Sequence, residues 1–245
     1  MQFSAEQHEI WATLYQRQLG RVQRYACREY LEGFERLNLP PDHIPSLRTL
    51  NRKIRPATGW RTVRTSVRYT DAVPWYQAFS RREFLVTDYM RGRHELDFTP
   101  EPDMFHDIFG HLPFMILPHY TQLQELFAPA FAQASPDQRE VIKRLAWYGT
   151  EFGLVRENGE LKILGAGLMS SSGEMEHVMS GKVPIVPFSV DNVEGHAKAI
   201  WNYNEVLFVV DSLEALDAEL RGYFEMIGRA RESQPVSERL PVAKG

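Results

Sequence analysis

The sequence has a single cysteine, Cys27, so it can form no internal disulfide and no cysteine-rich zinc site; a reducing cytoplasm suits such a chain. Long apolar runs are also missing. The longest are about five residues, such as Val206 to Val210, and nothing of that length spans a bilayer. Excess charge is absent too: 28 basic against 32 acidic residues leave a net −4, which gives no electrostatic case for nucleic acid. The locally basic stretch from Arg52 to Arg68 reads as a solvated face. The opening "MQFSAEQHEIW" meets charge too early for a signal peptide. No internal repeat, low-complexity segment or Pro/Gly-rich linker divides the chain. What remains is 245 residues with 43% hydrophobic content, enough for one large core. The expectation is a mainly α protein with a few short strands and hairpins: one domain over residues 1–230, then a flexible tail over 231–245.

Local signals support that outline. Ser4 with Gln7 makes a capping box, and apolar positions from Trp11 to Leu31 recur at helical spacing until Pro40-Pro41. A short helix is expected from Ser46. The alternation in "TVRTSVRY" predicts a half-buried strand with Val63, Thr65, Val67 and Tyr69 on one face. Pro74 suits the first turn of a helix running to about Arg82, and Thr99-Pro100 reads as another helix entry. Ser135-Pro136 with Gln138 is a further entry signal, and Asn158-Gly159 is a hairpin turn. Asp191 with Glu194 predicts a cap, "EVLFVV" a buried strand, and Ser212 the start of a last helix to about Arg229.

The chemistry concentrates in "PDMFHDIFGHLPF", Pro102 to Phe114. His106 and His111 are five residues apart. At about 100° per residue they would diverge by roughly 140° on a regular helix, too far to share an ion. Gly110 and Pro113 suggest that the helix ends or distorts at the second histidine, which would bring the imidazoles together. Imidazole alone does not choose a metal. A carboxylate as third ligand would complete the facial triad of oxygen-activating non-haem Fe(II). Candidates are Glu101, Asp103, Asp107, Glu151, Glu174 and Glu176. Glu151 stands out within the apolar "WYGTEFGL", where a carboxylate is costly to bury unless a cation compensates it.

Three segments, "TPEPDMFHDIFGH" (Thr99–His111), "WYGTEFGL" (Trp147–Leu154) and "LGAGLMSSSGE" (Leu164–Glu174), together resemble the pterin-dependent aromatic amino acid hydroxylases. The similarity runs from about Trp11 to Ser212. "RPATGW" (Arg55–Trp60) and "RREFLVTDYMR" (Arg81–Arg91) are similar to the short bacterial phenylalanine hydroxylases of that family. The resemblance implies a helical catalytic domain in which His106, His111 and Glu151 hold Fe(II). Iron, a tetrahydropterin and dioxygen there supply the oxidant that hydroxylates an aromatic amino acid ring, foremost phenylalanine to tyrosine. Tryptophan as substrate, or the meta position of phenylalanine, is the close alternative.

By the same resemblance Arg91 pairs with the substrate carboxylate, Thr99 and Ser170 line the amino-acid end of the pocket, and Pro102, Trp147 and Phe152 wall the substrate ring. Trp75 stands where the family stacks a phenylalanine on the pterin, and Asp107 belongs to the pterin-binding set. Ala146 replaces a common tyrosine and Gly149 a common threonine, both expected to remove volume near iron and pterin; Ser172 falls at a variable position. Without a recognisable regulatory module or tetramerising heptads, a monomer is expected. A zinc hydrolase is disfavoured because H-D-I-F-G-H lacks the spacing and glutamate of H-E-x-x-H. Nothing favours a non-catalytic binding protein.

Overall fold

The computed structural model describes residues 3–97, 99, 101–199 and 202–232. Most of residues 231–245, the expected tail, lie outside them. The chain begins with α1 (Ala5–Tyr25), whose Ser4 and Gln7 cap one another as expected and whose Ile10, Trp11, Leu14, Tyr15, Gln18 and Val22 form the buried stripe. This helix does not continue to Pro40. Ala26 turns extended and Cys27 donates its N–H to the Ile163 carbonyl at 2.9 Å, after which α2 (Arg28–Leu37) starts afresh. Helical periodicity is similar on both sides of such a break, so only the tertiary contact reveals it. Next comes α3 (Leu47–Thr58), with the Ser46 hydroxyl accepting from the Thr49 N–H.

Strand β1 (Arg61–Thr65) is shorter than the alternation implied, and its buried residue is Thr62. Val67 and Tyr69 lie beyond its end, 50% and 45% exposed, because the chain there leaves the sheet for a loop. Then α4 (Ala72–Ser80) leads to β2 (Glu83–Thr87), a strand unmarked by alternation, which pairs parallel with β1 from Arg61↔Glu83 to Thr65↔Thr87. The helical stretch after Pro102 starts at Met104, several residues later than Thr99-Pro100 suggested. It passes through a π-turn at His106–His111 into α5 (Leu112–Met115).

The short helices α6 (Pro118–Gln124) and α7 (Phe127–Gln133) precede α8 (Pro136–Ala146), which opens on the expected Ser135/Gln138 capping box. A second π-turn, Trp147–Glu151, follows directly. Strands β3 (Leu154–Glu157) and β4 (Glu160–Ile163) form the hairpin, and both turn residues have positive φ, 52° at Asn158 and 82° at Gly159. The remaining elements are α9 (Ala166–Ser170), α10 (Ser172–Met179), β5 (Ile185–Pro187), α11 (Val190–Glu194), β6 (Leu207–Val210) and α12 (Leu213–Glu232). The α11 cap is the Ser189 hydroxyl rather than Asp191. The second sheet has the order β4-β3-β6-β5, with β6 buried at every position. The chain is thus mainly helical, with more strands than the sequence implied. No helix among the described residues is long and apolar enough to cross a membrane.

Candidate active site

Two π-turns build the site. A π-turn closes its hydrogen bonds between residues five apart, so it brings side chains at that spacing onto one face. Of the two outcomes that Gly110 and Pro113 suggested, the helix distorts rather than ends: it widens into a π-turn at the histidine pair and continues past His111. The imidazole centroids lie 4.8 Å apart at 90°, and the two Nε2 atoms are separated by 3.1 Å. The opposite face of the turn explains why the distorted geometry persists. Phe105 and Phe109 stack at 4.7 Å, Phe109 also meets Tyr15 and Phe34, and Tyr30 donates its hydroxyl proton to the Phe109 carbonyl at 2.7 Å. Gly110 has a different use from a helix stop: a Cβ there would lie 2.5 Å from the Ala166 carbonyl oxygen, so its absence lets α9 dock on the turn.

The second π-turn places Glu151 opposite, and the Phe152 N–H donates to the Trp147 carbonyl at 2.8 Å to close it. Glu151 Oε1 is 3.2 Å from His111 Nε2, and Oε2 is 3.7 Å from His106 Nε2. These three donors fit one divalent ion, since ligand atoms about 2.1 Å from an ion at right angles stand about 3.0 Å apart. Among the described residues, the other carboxylates considered as ligands have different partners. Asp103 pairs with Arg91, Glu101 with Arg68, Glu176 with Arg21, and Glu174 accepts from Asn204.

The protonation state of His106 follows from its neighbours. The Ser170 hydroxyl lies 3.2 and 3.1 Å from the Ala166 and Gly167 carbonyls, which can only accept. Its proton goes to one of them, so Ser170 Oγ accepts from His106 Nδ1–H at 2.9 Å. The Nε2 lone pair is then free to face the other two donors. Burial, and next to it His111, pushes the His106 pKa down to about 4, so the ring is neutral at physiological pH. For His111, burial disfavours the proton, but Glu151 outweighs it and holds the pKa above the usual value. Burial likewise pushes the Glu151 carboxyl up, and His111 more than offsets it to leave a lowered pKa. A divalent ion would replace the proton these two groups share.

Ser170→Ala is accordingly expected to weaken metal binding by about 10- to 100-fold while leaving the fold intact, because the group orienting the imidazole is lost. Titration of the metal-free protein with Fe(II) would measure it. An unchanged affinity would sink the orienting role.

These donors lie on the wall of a cavity of about 430 Å³. Arg91, Thr99, Pro102, Trp147, Phe152, Ser170, Trp75 and Asp107 all border it, so every residue assigned to substrate or pterin from sequence converges there, whereas Ser172 does not line it. Trp147 and Phe152 pack at 4.5 Å, and the indole Nε1 donates to Asn204 Oδ1 at 2.9 Å. Trp75 meets Phe79 and Phe84. Asp107 accepts the Thr87 N–H at 2.7 Å, while burial pushes its pKa up to about 7. Ala146 does remove volume: it borders the cavity and also a second void of about 30 Å³ beside Trp75 and Glu151. Gly149 does not. A Cβ there would point at Leu216 and Phe188 instead, 3.2 and 3.4 Å away, so its small size concerns the core.

Sequence reasoning took the fully buried Asp103 only as a candidate metal ligand and missed its role as the partner of Arg91. It accepts from Arg91 Nε at 2.8 Å and Nη2 at 2.9 Å, and from the backbone N–H groups of Arg91 and His106. Its position three residues before His106 is an N-cap signal that could have found it. Lys143 and Lys198 also border the cavity, and nothing in their local sequence marks them.

The family described as biopterin-dependent aromatic amino acid hydroxylase matches residues 1–236. Phenylalanine-4-hydroxylase of Chromobacterium violaceum is 35% identical over 236 residues, spanning 95% of this chain and 79% of that protein. The crystal structure of that bacterium's phenylalanine hydroxylase with bound iron(III) and oxidised cofactor 7,8-dihydrobiopterin superposes with a TM-score of 0.84 at 34% identity, covering 96% of this chain and 85% of that one. The apo structure of the cold-active phenylalanine hydroxylase from Colwellia psychrerythraea gives a TM-score of 0.86 at 30% identity, covering 100% and 95%. A family match over nearly the whole chain, together with two histidines and a glutamate set around one ion's volume, leads to one conclusion: the chain belongs to the biopterin-dependent aromatic amino acid hydroxylases.

Proposed function

We propose that this chain hydroxylates the ring of L-phenylalanine to give L-tyrosine, with Fe(II) held by His106, His111 and Glu151 and with a tetrahydropterin and dioxygen as cosubstrates. The observation that carries the reading is the convergence of those three side chains on the wall of a cavity lined by Trp147, Phe152 and Pro102. Iron and pterin together supply the oxidising power that activates dioxygen. The chain's own residues bind, orient and exclude water.

Arg91 spends two of its five N–H donors on Asp103, so donors are left for a substrate carboxylate. Thr99 and Ser170 border the same end, and the aromatic wall receives the substrate ring. Its apolar character keeps water from the oxidant. Trp75 offers a face on which a pterin ring stacks, with the Asp107 carboxyl bordering the same cavity. The extra volume at Ala146 bears on specificity, because Ala146 borders both the small void beside Trp75 and the cavity walled by Trp147 and Phe152.

Incubating the Fe(II) protein with a tetrahydropterin, oxygen and either L-phenylalanine or L-tryptophan tests the choice of substrate. The expected main product is para-tyrosine. Meta-tyrosine or 5-hydroxytryptophan as main product would overturn it. We extend the reading to a cytoplasmic monomer, which light scattering on the purified protein would check for its oligomeric part.

A further inference from the structure

Four lysine and arginine side chains border the cavity. Arg91 is paired with Asp103, Arg68 with Glu101, and Lys143 with Glu140. Lys198 differs: among the described residues no carboxylate pairs with it, and its ammonium instead sits 5.7 Å from the centroid of the Trp147 ring. The side chain is half-buried, and burial, followed by the nearby Lys143, holds its pKa below the ordinary lysine value. Arg144 acts in the same direction and Glu140 against it. Two ammonium groups thus border one cavity, and Glu140, the carboxylate that acts on Lys198, is already paired with Lys143; among the described residues the cavity's carboxylates Asp71, Asp107, Glu151 and Glu174 form no ion pair with either lysine. Such a pair is an electrostatic vacancy for an anion.

We propose that Lys198, backed by Lys143, is a recognition site for an anionic group, a carboxylate or phosphate, carried on the side chain of the reduced pterin. This rests on the functional reading above. The other source of a carboxylate is the amino acid, but that molecule has one anionic group and Arg91 is already its assigned partner. The pterin side is favoured by position. Trp75 and Ala146 together border the small void, and Lys143 lies one helical turn before Ala146 on α8. A ring stacked on Trp75 is therefore beside the helix that carries Lys143. The bland alternative, a lysine merely covering the Trp147 face, predicts no dependence on ligand charge.

Equilibrium binding to the iron-loaded protein separates these readings without turnover. The probes are 7,8-dihydrofolate, whose side chain ends in carboxylates, and 7,8-dihydrobiopterin, whose side chain is neutral. Lys198→Met keeps most of the side chain's length and removes its charge. It is expected to raise the dissociation constant of dihydrofolate by about tenfold, to leave that of dihydrobiopterin within about twofold, and to leave that of L-phenylalanine unchanged. Lys198→Arg is expected to retain dihydrofolate binding. Equal weakening of both pterins, or of neither, would overturn the proposal, as would weakening of L-phenylalanine alone. If neither pterin binds the unaltered protein, the pterin-dependent reading itself fails, and that result is distinct from a failure confined to the Lys198 variants.

Discussion

Glu151→Ala is expected to eliminate tight iron binding and hydroxylation together. Glu151 is the one anionic donor of the three. Without it an ion meets two neutral imidazoles, and the Coulomb attraction that favours a divalent cation over water is gone. The loss should exceed the 10- to 100-fold typical of groups that only orient a ligand. The fold should survive. Burial opposes the charge of Glu151 in the metal-free protein, and the charge of His111, followed by its hydrogen bond, offsets that burial. Iron content after gel filtration, with a thermal melt of the metal-free protein, checks both halves of the expectation. Retained stoichiometric iron would remove Glu151 from the ligand set. A collapse of the melt would show instead that the carboxylate is structural.

Arg91→Ala has the second large expected effect, and the structure changes what it measures. Read from sequence, the residue serves amino-acid binding alone. In the fold its guanidinium also compensates Asp103, which is 0% exposed. Truncating one partner of such a pair costs about 3–5 kcal/mol, because a buried carboxylate is left uncompensated. Asp103 also accepts from the His106 N–H, so the damage reaches the metal site through the first turn of the helix.

The sign with pH follows from the cause. In the intact protein burial raises the Asp103 pKa, but Arg91 outweighs it and holds the pKa below the ordinary value. That contribution to stability is present above the unfolded pKa, near 3.9, and is lost as pH falls through the folded one. In Arg91→Ala the two backbone N–H bonds to Asp103 remain, but burial, the largest influence, is no longer opposed by the guanidinium, so the folded pKa is expected to rise above the unfolded one. The penalty should therefore be largest at neutral pH and shrink as pH falls toward about 4. Denaturant melts of both proteins across that range would measure it.

Adding Asp103→Asn to Arg91→Met removes the buried charge while filling space, and should recover much of the stability. It should not restore substrate affinity, whose loss is roughly 10- to 100-fold for a charged hydrogen-bonded contact. An unchanged apparent affinity for the amino acid in the stable double variant would end the proposed role of Arg91 in substrate binding.

The parts legible in the sequence were those whose cause is local. The Ser4 and Ser135 capping boxes and the Asn158-Gly159 turn depend on neighbours within a few residues, and all three stand where the pattern put them. The residue set of the site was legible for a different reason: its chemistry is carried by residue types in order along the chain, and a resemblance preserves order. The break at Ala26–Cys27 was not legible, since a backbone bond to Ile163, far along the chain, decides it. Nor was β2, whose pairing with β1 is a tertiary fact. The loop after Thr65 went wrong because alternation continues where the sheet does not.

By itself, the sequence determined that His106, His111 and Glu151 are of the kinds that hold iron, and that five residues separate the histidines. Only the tertiary structure decided how that spacing works. The packing of Phe105 and Phe109 against α1 and α2, and the docking of α9 on Gly110, hold a π-turn that an isolated helix would not adopt. It also decided that Arg91 is shared with Asp103 and that Lys198 faces the cavity beside Lys143. Burial and distance set the cost of a charge, and neither can be read from residue order alone.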